Sequence, residues 1–301
     1  MFESLPLAPL QPLSLPWLSR AGVEVAVLRL DLIDPLISGN KWFKLLEHVR
    51  EARARQLPAS SAWGGAHSNH LHALAAAGLR FGFRTVGLLR GHPQDTPTVR
   101  DLHSFGMELH WLGYGGYRAR HEPGFWVPWL ARYPGWHCVP EGGGGAQGVK
   151  GCARIVEQAR CQLSALGWPD YDGWWLAVGT GTTLAGLVAA ETGAHWVQGA
   201  LAVPGDHGVA EQVDSLLGAG RAGYVLHEAS RGGFAKVDAA LLAFIEASEA
   251  ESGIPLEPLY TGKALLALYE QVEQGAFAPG TRLDFPAHRR PARRVGWFSR
   301  L

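Results

Sequence analysis

Trp174–Ala190 reads WWLAVGTGTTLAGLVAA: five apolar residues, a glycine-threonine turn, then a run of small and apolar residues. The first five predict a strand buried on both faces, and Thr182–Ala190 a helix entered through the glycines. A buried strand running into a helix is the repeating unit of a parallel, doubly wound sheet. The unit recurs upstream. Strands are expected at Val23–Asp31, Ser60–Trp63, Arg84–Arg90 and Glu108–Leu112. They alternate with helices at Lys41–Gln56, where Asn40 is a fair N-cap, at His70–Leu79 and at Thr98–Phe105. Gly113–Gly124 reads as a loop or the start of another helix, and HCVP before the run Gly142–Gly145 as a short strand. A long helix at Val149–Leu166, a strand at Trp196–Val203 and helices at Val237–Ser252 and Tyr260–Gln274 complete an α/β pattern without internal repeats.

The 301 residues suffice for two packed lobes, and 47% hydrophobic against 18% charged excludes a disordered chain. Lys plus Arg and Asp plus Glu both number 27, so no global field draws the chain to nucleic acid or a membrane surface. No apolar run approaches spanning length, and the proline-broken start MFESLPLAPLQPLSLPW does not read as a leader. Cys138, Cys152 and Cys161 are expected as reduced thiols of a cytoplasmic protein, used as small buried hydrophobes.

Three stretches carry chemistry. In SGNKWFKL, Ser38–Leu45, two lysines one turn apart follow a Gly-Asn turn. A helix lysine is usually a solvated charge, but one beside a glycine turn in a lysine-poor chain suits attack on a carbonyl once desolvated. In WGGAHSNHLHALAAAG, Trp63–Gly78, glycines and small polar residues open a helix. In Gly179–Thr183, free N–H groups and hydroxyls suit a phosphate, although a packing turn is about as common a use. His67, His70 and His72 lack metal-ligand spacing, positions 67 and 72 point apart on a helix, and no metal site is expected.

Together with LEPLYTGKAL, Leu256–Leu265, these motifs resemble the 1-aminocyclopropane-1-carboxylate deaminase and D-cysteine desulfhydrase family. Its members are pyridoxal-phosphate enzymes of the tryptophan-synthase-β type, fold type II. The likeness runs from about Leu28 to about Leu268, with the motifs in the family's order. It implies two doubly wound open-sheet domains: a large one from 1–45 plus 143–301, and a small inserted one, 46–142. Lys41 becomes the Schiff-base lysine and Asn69 the partner of the cofactor's ring hydroxyl. Ser68, with the backbone of His67 and His70, receives the substrate carboxylate. Gly179, Thr180, Gly181, Thr182 and Thr183 cup the phosphate, and Tyr260 and Thr261 lie beside the ring. The implied reaction converts a small amino acid to a 2-oxo acid and ammonia in a homodimer.

The chain departs from the family at three places. Thr261 stands where ring-opening deaminases carry a glutamate, which favours β-elimination, as in D-cysteine desulfhydrase, over cyclopropane opening. Phe234 occupies a position where many relatives have tyrosine. Relatives also follow their last strand with H-T-G-G-L-Q-G or similar, whereas this chain has FPAHRRPARRVGWFSRL. Codons for P-H-T-G-G-L-Q-G can spell A-H-R-R-P-A-R one base out of frame, and Ala287–Arg293 is that string. The hypothesis is a frame shift near Phe285; an in-frame gene sequence with no H-T-G-G frame beside it removes the idea. With the ring-nitrogen partner altered, a cofactor-binding member with little or no turnover is the alternative from another class.

Overall fold

A computed structural model describes residues 5–218 and 222–287. Two sheets organise the chain. The N-terminal hairpin β1 (Leu10–Pro12) and β2 (Glu24–Arg29), with α1 (Pro16–Ala21) between its strands, leads into α2 (Asn40–Ala54). The chain then winds β3 (Ala59–Gly64), α3 (Asn69–Phe81), β4 (Arg84–Leu89), α4 (Pro97–Ser104) and β5 (Glu108–Trp111). The short helices α5 (Gly113–Arg118) and α6 (Val127–Arg132) precede β6 (His137–Cys138). After α7 (Gly145–Arg160) come β7 (Gly173–Val178), α8 (Thr182–Glu191), β8 (Trp196–Leu201), α9 (Val209–Leu217) and β9 (Tyr224–Glu228). Helices α10 (Ala239–Ser252) and α11 (Thr261–Glu273) lead to β10 (Arg282–Ala287).

The smaller sheet has the order β5-β4-β3-β6, all parallel. The larger has the order β1-β2-β10-β7-β8-β9, parallel except for β1. Strand β10 returns from the far end of the chain to pair between β2 and β7, so both flanks of the smaller sheet build the larger one. The expected α/β architecture of two wound sheets is therefore present. The altered tail from 288 onward lies outside the described residues, and Ala287 ends β10 in register with Arg29.

Alternation along the central strands explains the layering. Trp174, Leu176 and Val178 meet Ile155, Leu184 and Leu187 on one face. Trp175, Ala177, Leu283 and Phe285 meet Leu241, Ala264 and Leu268 on the other. Both tryptophans are fully buried, and each ring nitrogen is satisfied: Trp174 Nε1–H donates to Glu191 Oε1 at 2.6 Å, and Trp175 Nε1–H to the Ala264 carbonyl at 2.7 Å. Burying such rings supplies roughly 1.5–3 kcal/mol per large side chain.

Helix α2 is pressed onto α7 more closely than ordinary side chains permit. A Cβ on Gly151 would stand 2.0 Å from the Phe43 carbonyl oxygen, so only glycine fits there. That contact sets the position of α2, and with it both lysines of SGNKWFKL. Among the described residues no helix is long and apolar enough to cross a membrane.

Candidate active site

A cavity of about 900 Å³ opens between the two sheets, at the carboxyl ends of β3, β4 and β7. This is where open parallel sheets place ligands, because the helix N-termini converge there. Lys41 and Lys44 line it from α2, the Gly64–His70 turn from the smaller sheet, and Gly179, Thr180, Gly181 and Thr183 from the larger. Phe234 and Tyr260 form a further wall, their rings edge to face with centroids 5.4 Å apart.

The start of α2 differs from expectation. Gly39, with φ +70°, occupies the N-cap, and Asn40 is the first helical residue. Glycine takes the cap because this backbone lies in the left-handed region. The Asn40 side chain is thereby released to donate from Nδ2 to Thr183 Oγ1 at 2.9 Å, tying the lysine helix to the start of α8.

Lys44 is buried and Lys41 half-buried. Burial, and next the neighbouring Lys44 charge, hold the Lys41 amine well below its ordinary range; burial also lowers Lys44. The lowering favours the neutral amine, the form that is nucleophilic toward an aldehyde. Lys44 Nζ lies 3.5 Å from Thr180 Oγ1, bringing a second lysine nitrogen to the glycine turn. His70 is buried against the same lysines, and burial followed by their charge drives its pKa well down.

Ser68 caps α3, its hydroxyl accepting from Leu71 N–H at 3.2 Å, and stands with His67 and Asn69 on the cavity wall. His72 also lines the cavity, with its Nε2 3.4 Å from Asp101. Two expected positions turn inward. Thr182 is fully buried beneath the turn, 3.3 Å from the Thr180 hydroxyl. Thr261 is not on the cavity wall. Its hydroxyl accepts from Glu257 N–H at 3.0 Å, while the Glu257 carboxylate accepts from the N–H groups of Leu259, Tyr260 and Thr261. Glu257 thus caps α11 from outside the helix, and burial raises its pKa despite those bonds.

Several site residues escaped the sequence reading. Lys44, the second lysine of SGNKWFKL, has no role assigned by the sequence, yet it lines the cavity beside Thr180. Arg90, Arg118 and Arg120 also line the cavity, with Glu141. The signal for Arg90 was present, since a charged residue directly after a buried parallel strand sits at the ligand end of the sheet. Of the three thiols, Cys152 is buried beneath the lysines as expected, but Cys138 is half-buried and Cys161 exposed.

The residues fit a phosphate-bearing aldehyde. A desolvated lysine, a helix N-terminus with hydroxyls and a second lysine, and a histidine whose two buried ring nitrogens have no hydrogen-bond partner among the described residues all face one cavity. The model for the family described as "pyridoxal-phosphate dependent enzyme" matches residues 4–283.

The chain belongs to that family.

A Pyrococcus abyssi protein named as a candidate 1-aminocyclopropane-1-carboxylate deaminase is 27% identical over 278 residues, 87% of this chain and 83% of the relative. A protein of the same description from Pyrococcus furiosus is 26% identical over 270 residues, 84% and 81% of the two chains. Among solved structures, an ACC deaminase homologue superposes with TM-score 0.77 at 22% identity, over 94% of this chain and 89% of that one. A hydrogen sulfide-producing enzyme of Fusobacterium nucleatum gives 0.69 at 13% identity, covering 95% and 94%. The fold is that of the fold type II pyridoxal-phosphate enzymes.

Proposed function

We propose that this enzyme deaminates a small amino acid by β-elimination, as D-cysteine desulfhydrase does, releasing a 2-oxo acid and ammonia. The observation that carries the reading is the Lys41 amine, desolvated and placed in one cavity with the Gly179–Thr183 turn. Lys41 would hold the cofactor, and its amine, when free, would carry the substrate α-proton. Asn69, on the cavity wall, would hold the cofactor's ring hydroxyl. Ser68 and the N–H groups of His67 and His70 take the substrate carboxylate. The Gly179–Thr183 turn, with Lys44 beside Thr180, takes the phosphate. Burial raises the Tyr260 phenol above its ordinary range, so it stays protonated and serves as a proton donor at the reacting end. The cofactor, when bound, supplies the electron sink for the bond broken at the substrate α-carbon.

Ring opening of 1-aminocyclopropane-1-carboxylate is the second reading, favoured by the names of the two Pyrococcus relatives. Against it, Glu141 is the one carboxylate among the described lining residues, and Tyr117 and Arg120 already engage it. We further place the domain division at 1–45 plus 143–301 against 46–142, and read the assembly as a cytoplasmic homodimer, which sedimentation checks.

The test is product analysis with Lys41→Ala alongside. Pyruvate from D-cysteine or β-chloro-D-alanine is the expected product. 2-Oxobutyrate from the cyclopropane amino acid, without pyruvate from the others, transfers the assignment to ring opening. Borohydride should fix the cofactor to the Lys41 peptide. Fixation at Lys44, or none, removes the assigned lysine.

A further inference from the structure

The cavity's outer end carries more positive charge than the proposed reaction uses. Beyond the amines of Lys41 and Lys44, its lining holds Arg90, Arg118 and Arg120 against the single carboxylate of Glu141. The two lysines lie deep, beside the glycine turn, whereas Arg90 and Arg118 are exposed at the rim on the smaller sheet's side.

The three arginines are not equivalent. Arg120 is committed: its Nε donates to Glu141 Oε2 at 3.1 Å, its Nη1 to the Tyr117 carbonyl at 3.0 Å, and its guanidinium lies 4.4 Å from the Tyr117 ring centre. The Tyr117 hydroxyl donates to Glu141 Oε1 at 2.8 Å, so both oxygens of that carboxylate are engaged. Arg90 and Arg118 form no ion pair among the described residues. Arg90 is nevertheless oriented, its guanidinium 5.5 Å from the ring centre of Tyr114. Stacking on an aromatic face leaves the guanidinium's N–H fork free for a planar or tetrahedral anion.

We propose that Arg90 and Arg118 form a subsite for a second acidic group, so that the preferred substrate is an amino acid with a carboxylate or phosphate on its side chain. The inference rests on the reading of the cavity as an amino-acid site. The inner lysines and the Ser68 turn take the cofactor phosphate and the substrate α-carboxylate, and the rim arginines take the distal anion through charge-assisted, bidentate bonds.

The test uses holoenzyme, its Arg90→Gln and Arg118→Gln variants, and two probes without a leaving group, 2-amino-3-phosphonopropionate and alanine, each in both configurations. Binding is read by calorimetry and by the cofactor's visible absorbance. The wild type should prefer the phosphonate over alanine by about tenfold or more, and each variant should erode that preference severalfold. Equal affinity for the two probes in the wild type overturns the subsite, as does a preference that survives both substitutions. A phosphonate preference seen in heat but with no absorbance change from either probe supports the subsite while sinking the amino-acid reading. A normal absorbance change with no preference does the reverse.

Discussion

Lys44 Nζ lies 3.5 Å from the Thr180 hydroxyl, joining the helix that carries both lysines to the glycine turn that opens α8. One turn earlier, Asn40 makes the parallel contact to Thr183. The two bonds divide the labour of SGNKWFKL: Lys41 is left to face the cavity, while its neighbours fasten the helix across it.

Lys44→Met should therefore weaken cofactor binding without abolishing the lysine linkage. Losing a charge-assisted contact to a phosphate costs about 1.5–3 kcal/mol, so the cofactor dissociation constant should rise about tenfold or more. Cofactor titration followed by absorbance reads this directly. A Lys44→Met protein that binds cofactor as tightly as the wild type would remove Lys44 from the phosphate cup.

How much of this was legible beforehand depends on the range of the interaction that fixes each feature. Helix α2 and the β7-α8 unit were readable because their apolar patterns are local. Helix α9 and strand β9 were not: Tyr224–Glu228 is an edge strand of mixed polarity, and α9 follows a glycine turn with no side-chain cap. The six-residue α6 was missed as well, since it is held by the aromatic cluster around Trp126, Trp129 and Tyr133 rather than by periodicity. In the site, Lys41 stood out through a motif. The inward turn of Thr261 was hidden because it depends on Glu257 folding back under α11. The cap at Asn40 failed because the φ of Gly39 is set by the fold and not by propensity.

Lys263 shows the same dependence on distant partners. It is 1% exposed, and its ammonium donates to the carbonyls of Ser230, Gly233 and Phe234 at 2.7, 2.8 and 3.0 Å. Those bonds hold the loop that presents Phe234 to Tyr260. Lys263→Met takes one donor from each of three carbonyls, those of Ser230 and Gly233 keeping a backbone N–H, and should destabilise the fold by about 2–3 kcal/mol. Because the loop forms one cavity wall, KM should rise more than kcat falls. Denaturant midpoints and steady-state kinetics check both, and an unchanged midpoint refutes the clamp.

His48 gives the molecule an acid-sensitive joint. Its Nε2 donates to the Gly144 carbonyl at 2.9 Å, leaving Nδ1 to accept from His137 Nε2–H at 3.0 Å. Protonating Nδ1 would set two N–H groups against each other, and burial already pulls the His48 pKa from 6.5 to about 4. His137 and His70 are lowered too, each chiefly by burial. The unfolded chain therefore takes up protons first as pH falls below 6.5, so the contribution of His48 is full above that value and is lost toward pH 4. His48→Gln should lower Tm at pH 7 and shrink the further drop on going to pH 4.5. An undiminished drop would place the acid sensitivity elsewhere.

Asp284 tilts stability the other way. It sits in the middle of β10, fully buried, opposite Ala26 and Trp174, and neither carboxyl oxygen has a hydrogen-bond partner in the described structure. Burial, then the charges of Glu191 and Asp170, lift its pKa from 3.8 to about 8. The fold thus holds the protonated acid, whereas the unfolded chain ionises near 3.8, and stability declines as pH rises through that interval. Asp284→Asn removes the ionisation while keeping the shape. It should leave Tm nearly unchanged at pH 4 and raise it at pH 8 by about 3 °C or more, equivalent to about 1 kcal/mol. Opposed to the histidine joint, this slope sets the stability maximum in weakly acidic to neutral solution. A variant with the same alkaline decline as the wild type would show that Asp284 ionises at its ordinary pH.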